Sequence, residues 1–144
     1  MKLINTVVPD LPLTILRDNQ FVQANFSDYN RLVLVFYPQN FETTTTTTLM
    51  KYSKQINRFT AQNIQVLAGS IESAFNIYAF NEQTKAKLDL FADKNAAISD
   101  YFGVNDKGKC IHGVVIIINQ VIKFVGVGAE LEPRVVLDLF EQLQ

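Results

Sequence analysis

Residues 31–38, Arg-Leu-Val-Leu-Val-Phe-Tyr-Pro, run apolar without interruption until a proline stops them. A strand with one face in water alternates apolar and polar side chains, whereas an unbroken run suits a strand buried on both faces. Such a strand needs a layer on either side of its sheet. The flanking sequence offers helices for both layers, and the expectation is an α/β domain with a mixed central sheet between helices.

Ahead of this run, residues 11–26 alternate loosely and break at Asp18–Asn19, which predicts an N-terminal β-hairpin. After it come six consecutive threonines, 43–48, and then Leu49, Tyr52, Ile56 and Phe59 at spacings of three and four. That spacing is an amphipathic helix. Threonine is a poor helix former and a good N-cap, so one of the early threonines is expected to cap it. Residues 64–71 read as a second buried strand. Residues 72–85 read as a helix with Phe75, Ala79 and Tyr78 facing inward. Residues 87–93 read as a short strand, and 95–104 as a short helix ended by Gly103. Residues 113–128 form a hairpin around Asn119–Gln120, and 132–143 a closing helix with Pro133 in its first turn. The whole of residues 1–144 is expected to be a single domain.

Composition narrows function mainly by exclusion. A net charge of −1 gives no electrostatic case for nucleic acid or an anionic membrane as partner. The longest apolar stretch, Gly113–Ile118, falls far short of the ~20 residues of a membrane span. The first residues lack the features of a signal peptide, which predicts a cytoplasmic protein. One cysteine, Cys110, and one histidine, His112, allow neither an internal disulfide nor a Cys/His zinc site. No glycine-rich phosphate loop occurs, and no cofactor is expected.

Four local strings, in this order and spacing, resemble the peroxiredoxin family of alkyl hydroperoxide reductases and thiol-specific antioxidant proteins. They are Val-Val-Pro-Asp-Leu-Pro-Leu (7–13), Asn25–Phe41 with its Phe-Tyr-Pro ending, Leu88–Val104 with its Tyr-Phe-Gly-Val ending, and Val114–Phe124. The resemblance implies a thioredoxin-like fold. The chain ends at its last helix, without the extension that carries a resolving cysteine in some members. That form resembles the bacterioferritin-comigratory branch and implies a monomer or a homodimer.

The family's reactive motif is Pro-x-x-x-Thr/Ser-x-x-Cys at a helix mouth, where unpaired N–H groups and partial positive charge stabilise a thiolate. Counted from Pro38, the hydroxyl position falls on Glu42 and the cysteine position on Thr45. The family's arginine, on a later strand, falls on His112. The resemblance thus implies a degenerate peroxidatic site in which only Pro38 keeps its family identity.

Threonine cannot replace the sulfur, because an alcohol has no sulfenic state. The threonine run reads most simply as a helix cap and first turn. Its other readings are a polar pocket for an unknown small molecule or protein, or a Thr45 nucleophile activated by His112 and oriented by Glu42. Cys110 is either an incidental thiol or a displaced redox site. In the second case Lys107 and Lys109 would lower its pKa, and an external thioredoxin-like reductant would serve it.

Overall fold

The computed structural model describes residues 3–128 and 130–144. Met1 and Lys2, which open the segment read above for a signal peptide, lie outside them. The N-terminal hairpin pairs β1 (Leu13–Arg17) with β2 (Gln20–Ala24). Asp18 and Asn19 both take positive φ, 50° and 62°, as a two-residue turn matched to strand twist requires.

The apolar run becomes β3 (Arg31–Phe36), followed by α1 (Thr43–Ala61), β4 (Gln65–Ser70), α2 (Ala74–Thr84), β5 (Asp89–Ala92) and α3 (Ala97–Phe102). A two-stranded ribbon, β6 (Asn105–Asp106) with β7 (Lys109–Cys110), leads to the hairpin of β8 (Gly113–Ile118) and β9 (Val121–Val127). The last element is α4 (Pro133–Gln142). The small ribbon is too short to leave a periodic signal in sequence.

Seven strands form one mixed sheet in the order β2-β1-β5-β4-β3-β8-β9. β3 runs parallel to β4 and antiparallel to β8, and is covered on both faces. Its side chains alternate between two cores, as the strand period demands. Val33, Val35 and Tyr37 pack with Leu49, Tyr52 and Phe59 of α1, Phe80 of α2 and Phe140 of α4. Leu32, Leu34 and Phe36 pack on the other face with Ile98 and Phe102 of α3 and with Cys110. Gly69 on β4 lets the two-sided packing close: a Cβ there would lie 2.5 Å from ring carbons of Phe91.

Two expectations are corrected. α1 is capped by Glu42, not by a threonine, and the Glu42 side chain makes no capping hydrogen bond. The chain reverses one residue earlier, at Phe41 (φ 67°), so all six threonines lie inside the helix. Burial of Thr45, Thr48, Leu49 and Tyr52 outweighs the low helix propensity of threonine, which is worth only some tenths of a kcal/mol per residue.

In α2 the inward residues are Ile77 and Phe80, while Phe75 is 78% exposed and Tyr78 is also exposed. Large apolar side chains occupy both sides of this helix. Residues 75 and 79 share one side and 77 and 80 the other, so periodicity could not choose between them.

Candidate functional site

The site lies where β3 gives way to α1. Tyr37 continues the buried strand, and its hydroxyl donates to Asn40 Oδ1 at 2.8 Å. The half-buried Pro38 offers its carbonyl to the Ser70 hydroxyl at 3.0 Å. The Asn40 backbone N–H donates to Glu72 Oε1 at 3.3 Å, and Glu72 Oε2 accepts from the Asn76 amide at 3.1 Å. These bonds tie residues 37–40 to the segment joining β4 to α2. Burial, and then the nearby Glu72 carboxylate, hold the Tyr37 hydroxyl well above its ordinary pKa, so it stays a neutral donor.

The first intrahelical donor of α1 is the Thr46 N–H, which reaches the Glu42 carbonyl at 3.0 Å. The N–H groups of Thr43, Thr44 and Thr45 precede it and have no partner within the helix. Thr45 is completely buried (0% exposed), and among the described residues its hydroxyl has no hydrogen-bond partner. The Asn40 side-chain NH₂ is likewise buried and unpartnered. Two orphaned polar groups beside one helix mouth are unusual, because burying such a group unsatisfied costs about 1–3 kcal/mol.

The remaining sequence candidates are distributed as follows. Glu42 is exposed at the cap. His112 is half-buried and directly precedes Gly113, which pairs with Phe36, so it stands at the same end of the sheet as Pro38. Among the described residues no hydrogen bond links Thr45, Glu42 and His112. The His112 carbonyl instead accepts from the Gly128 N–H at 2.7 Å.

Cys110 is 2% exposed and belongs to the core on the opposite face of the sheet from α1. Burial pushes its thiol up to about 11, and the Ser99 and Ser70 hydroxyls offset this only in part. The groups that lower it are the Ser99 and Ser70 hydroxyls and the Ile71 backbone; Lys107 and Lys109 are not among them.

Sequence reading missed Tyr37, Asn40, Ser70 and Glu72 as a connected polar group. Its one signal was a tyrosine inside an apolar run, followed three residues later by an asparagine. Asp93 is buried and accepts from the N–H groups of Ile98 and Ser99 at 3.1 and 2.7 Å, which caps α3.

The family model described as the AhpC/TSA family matches residues 4–125. The chain belongs to the AhpC/TSA family. It is 33% identical over 111 residues to the peroxiredoxin prdx-2 of Caenorhabditis elegans, covering 69% of this chain and 55% of the relative. To the chloroplastic 2-Cys peroxiredoxin BAS1 of Spinacia oleracea it is 27% identical over 129 residues, covering 81% and 49%. The chain thus spans about half the length of these curated relatives. The crystal structure of Enterococcus faecalis AhpC superposes with a TM-score of 0.91 at 23% identity, covering 99% of this chain and 92% of that one. The reduced 2-Cys peroxiredoxin of Plasmodium vivax gives 0.90 at 18%, covering 99% and 97%. These matches establish the peroxiredoxin-type thioredoxin fold expected from the sequence. No helix among the described residues is long and apolar enough to cross a membrane.

The buried thiol of this AhpC/TSA chain makes a pH prediction. Its folded pKa, about 11, lies above the ordinary value of 9.0, so folding favours the neutral thiol. The contribution of Cys110 to stability is whole below pH 9.0 and is lost as pH rises toward about 11. Denaturant unfolding at pH 8 and pH 10.5 checks this. The parent chain should lose more stability over that interval than Cys110→Ala, by roughly 1–2 kcal/mol. Equal losses would show that the thiol titrates normally.

Proposed function

We propose that this AhpC/TSA relative is a non-catalytic binding or regulatory protein, in which Thr45 stands at the place of a peroxidatic cysteine. The observation that carries the proposal is the buried Thr45 hydroxyl. It lies in the first turn of a long helix, seven residues after Pro38, with no hydrogen-bond partner among the described residues and no thiol nearby in sequence. A helix mouth can hold an oxyanion or a polar ligand. It cannot reduce a peroxide without a group that accepts the oxygen and is then reduced by a thiol, releasing that oxygen as water. The orphaned Asn40 amide gives the mouth a second unsatisfied donor, so a small polar molecule or a partner's side chain is the occupant that suits it.

The alternative is a thiol-dependent peroxidase acting through Cys110 with a thioredoxin-like reductant. Its place in the core across the sheet from α1, away from the helix mouth, and its raised pKa speak against it, since reactive cysteines have lowered pKa values. The proposal places the protein in the cytoplasm as one domain, acting as a monomer or homodimer.

Hydrogen peroxide and cumene hydroperoxide consumption, with dithiothreitol or a thioredoxin system, tests this for the parent chain and Cys110→Ser. Both should run at the buffer background. A parent rate at least about tenfold above background that vanishes in Cys110→Ser would replace the proposal with the alternative.

A further inference from the structure

We propose that the groove between α1 and α4 is a binding site for a small polyanion built of linked phosphoryl groups. The groove is a cavity of about 420 Å³ lined by Lys51, Lys54, Gln55, Arg58, Glu132 and Arg134. Four cations face one carboxylate in a chain whose net charge is −1, so the positive charge is local. Glu132 is already engaged by Lys51 at 2.8 Å. Among the described residues Lys54, Arg58 and Arg134 form no ion pair and no side-chain hydrogen bond. Two further carboxylates lie near: Glu130, which accepts from the Thr48 hydroxyl and acts electrostatically on Lys51, and Asp138, one turn along α4; among the described residues neither forms an ion pair with Lys54, Arg58 or Arg134.

The spacing selects the ligand. Lys51, Lys54 and Arg58 lie at i, i+3 and i+7 on one face of α1, a row roughly 10 Å long. A single phosphate cannot reach both ends of such a row, whereas linked phosphoryl groups can. The two arginines suit phosphoryl oxygens, which the planar guanidinium can bind through two parallel hydrogen bonds. The amino end of α4 opens on the same groove, with Pro133 at its first position, so the N–H groups of Arg134 and Val135 add to the positive field. A second cavity of about 510 Å³ shares Lys51 and Lys54 and ends on Met50 and the half-exposed ring of Phe41. It leaves room for an apolar group attached to the phosphates.

Isothermal titration of the full chain with sodium tripolyphosphate, ATP and inorganic phosphate tests the site. At low ionic strength tripolyphosphate should saturate with a dissociation constant on the order of 0.1–1 mM, as expected for three or four exposed ionic contacts. Arg58→Glu with Arg134→Glu should weaken it about tenfold or more, as should a rise to 0.3 M salt. Lys94→Ala, an exposed cation elsewhere, should leave binding unchanged. Arg58→Gln alone gives a milder substitution and a smaller loss in the same direction. ATP binding tighter than tripolyphosphate would identify a nucleotide as the source of the phosphates, and the reverse would identify inorganic polyphosphate. Phosphate binding as well as tripolyphosphate, no saturable binding, or equal binding by the folded double variant would each overturn the proposal. None of these outcomes depends on whether the chain reduces peroxides.

Discussion

Thr45→Cys combined with Glu42→Thr and His112→Arg is expected to turn the protein into a peroxidase. The three changes put a thiol in the first turn of α1, a hydroxyl at its cap and a guanidinium at the end of the sheet that holds Pro38. The thiolate would attack one peroxide oxygen. The O–O bond breaks, the sulfur becomes a sulfenic acid and the other oxygen leaves as an alcohol or water. Two equivalents of dithiothreitol thiol then return the sulfur to its starting state. The scaffold's contribution is the unpaired N–H groups of residues 43–45. Preorganised donors of that kind are worth on the order of 10²–10³ in rate, so the variant should consume hydrogen peroxide at least roughly 100-fold faster than the parent. Thr45→Ser with the same two companions should stay at background, because a second alcohol has no sulfenic state. Circular dichroism separates a misfolded variant from an inactive one. A folded triple variant that neither turns over peroxide nor takes up a sulfenate-specific label would show that Thr45 is not at the peroxidatic place.

The largest expected loss of stability comes from Phe36→Ala. Phe36 is buried at the last position of β3, with its ring 5.7 Å from that of Phe91 in an edge-on arrangement and 6.1 Å from that of Phe102. It therefore joins three elements, β3, β5 and α3, on the face of the sheet that also holds Cys110. Truncation removes the ring and leaves a cavity between residues that cannot close in, a change that costs about 3–5 kcal/mol. For a chain of this size the melting temperature should drop by roughly 10–15 °C. Phe36→Leu keeps most of the volume and should cost less than half as much. Thermal melts of the two variants and the parent test this ordering. A loss below about 1 kcal/mol for Phe36→Ala would mean that the core rearranges around the gap.

Much of this fold was legible because local chemistry and tertiary demand agree. The residues 31–38 run needed cover on two faces and received it. The hairpin turns at Asp18–Asn19 and Asn119–Gln120 use positive φ where the polar break stood. Gly103 ends α3 in the left-handed conformation, and Pro133 opens α4. Reading failed where two local answers were nearly equal. Either side of α2 could have faced inward, and only the fit of Ile77 and Phe80 against the sheet decides for them. Any early threonine could have capped α1, and the bend at Phe41 moves the cap to Glu42.

The candidate site divides in the same way. By itself the sequence determined that no cysteine follows Pro38 at the required spacing, and that Cys110 and His112 are the chain's only thiol and imidazole. Those are facts of residue identity, and folding cannot change them. Only the tertiary structure decided that Thr45 is buried with an unsatisfied hydroxyl. It also decided that Tyr37, Asn40 and Glu72 form one polar group, and that Cys110 lies across the sheet from α1. The reason is that burial and hydrogen-bond pairing depend on which elements meet. Tyr37 and Glu72 are 35 residues apart, and Cys110 lies far from α1 along the chain. The desolvation that raises the Cys110 thiol comes from neighbours that only the packed sheet brings to it.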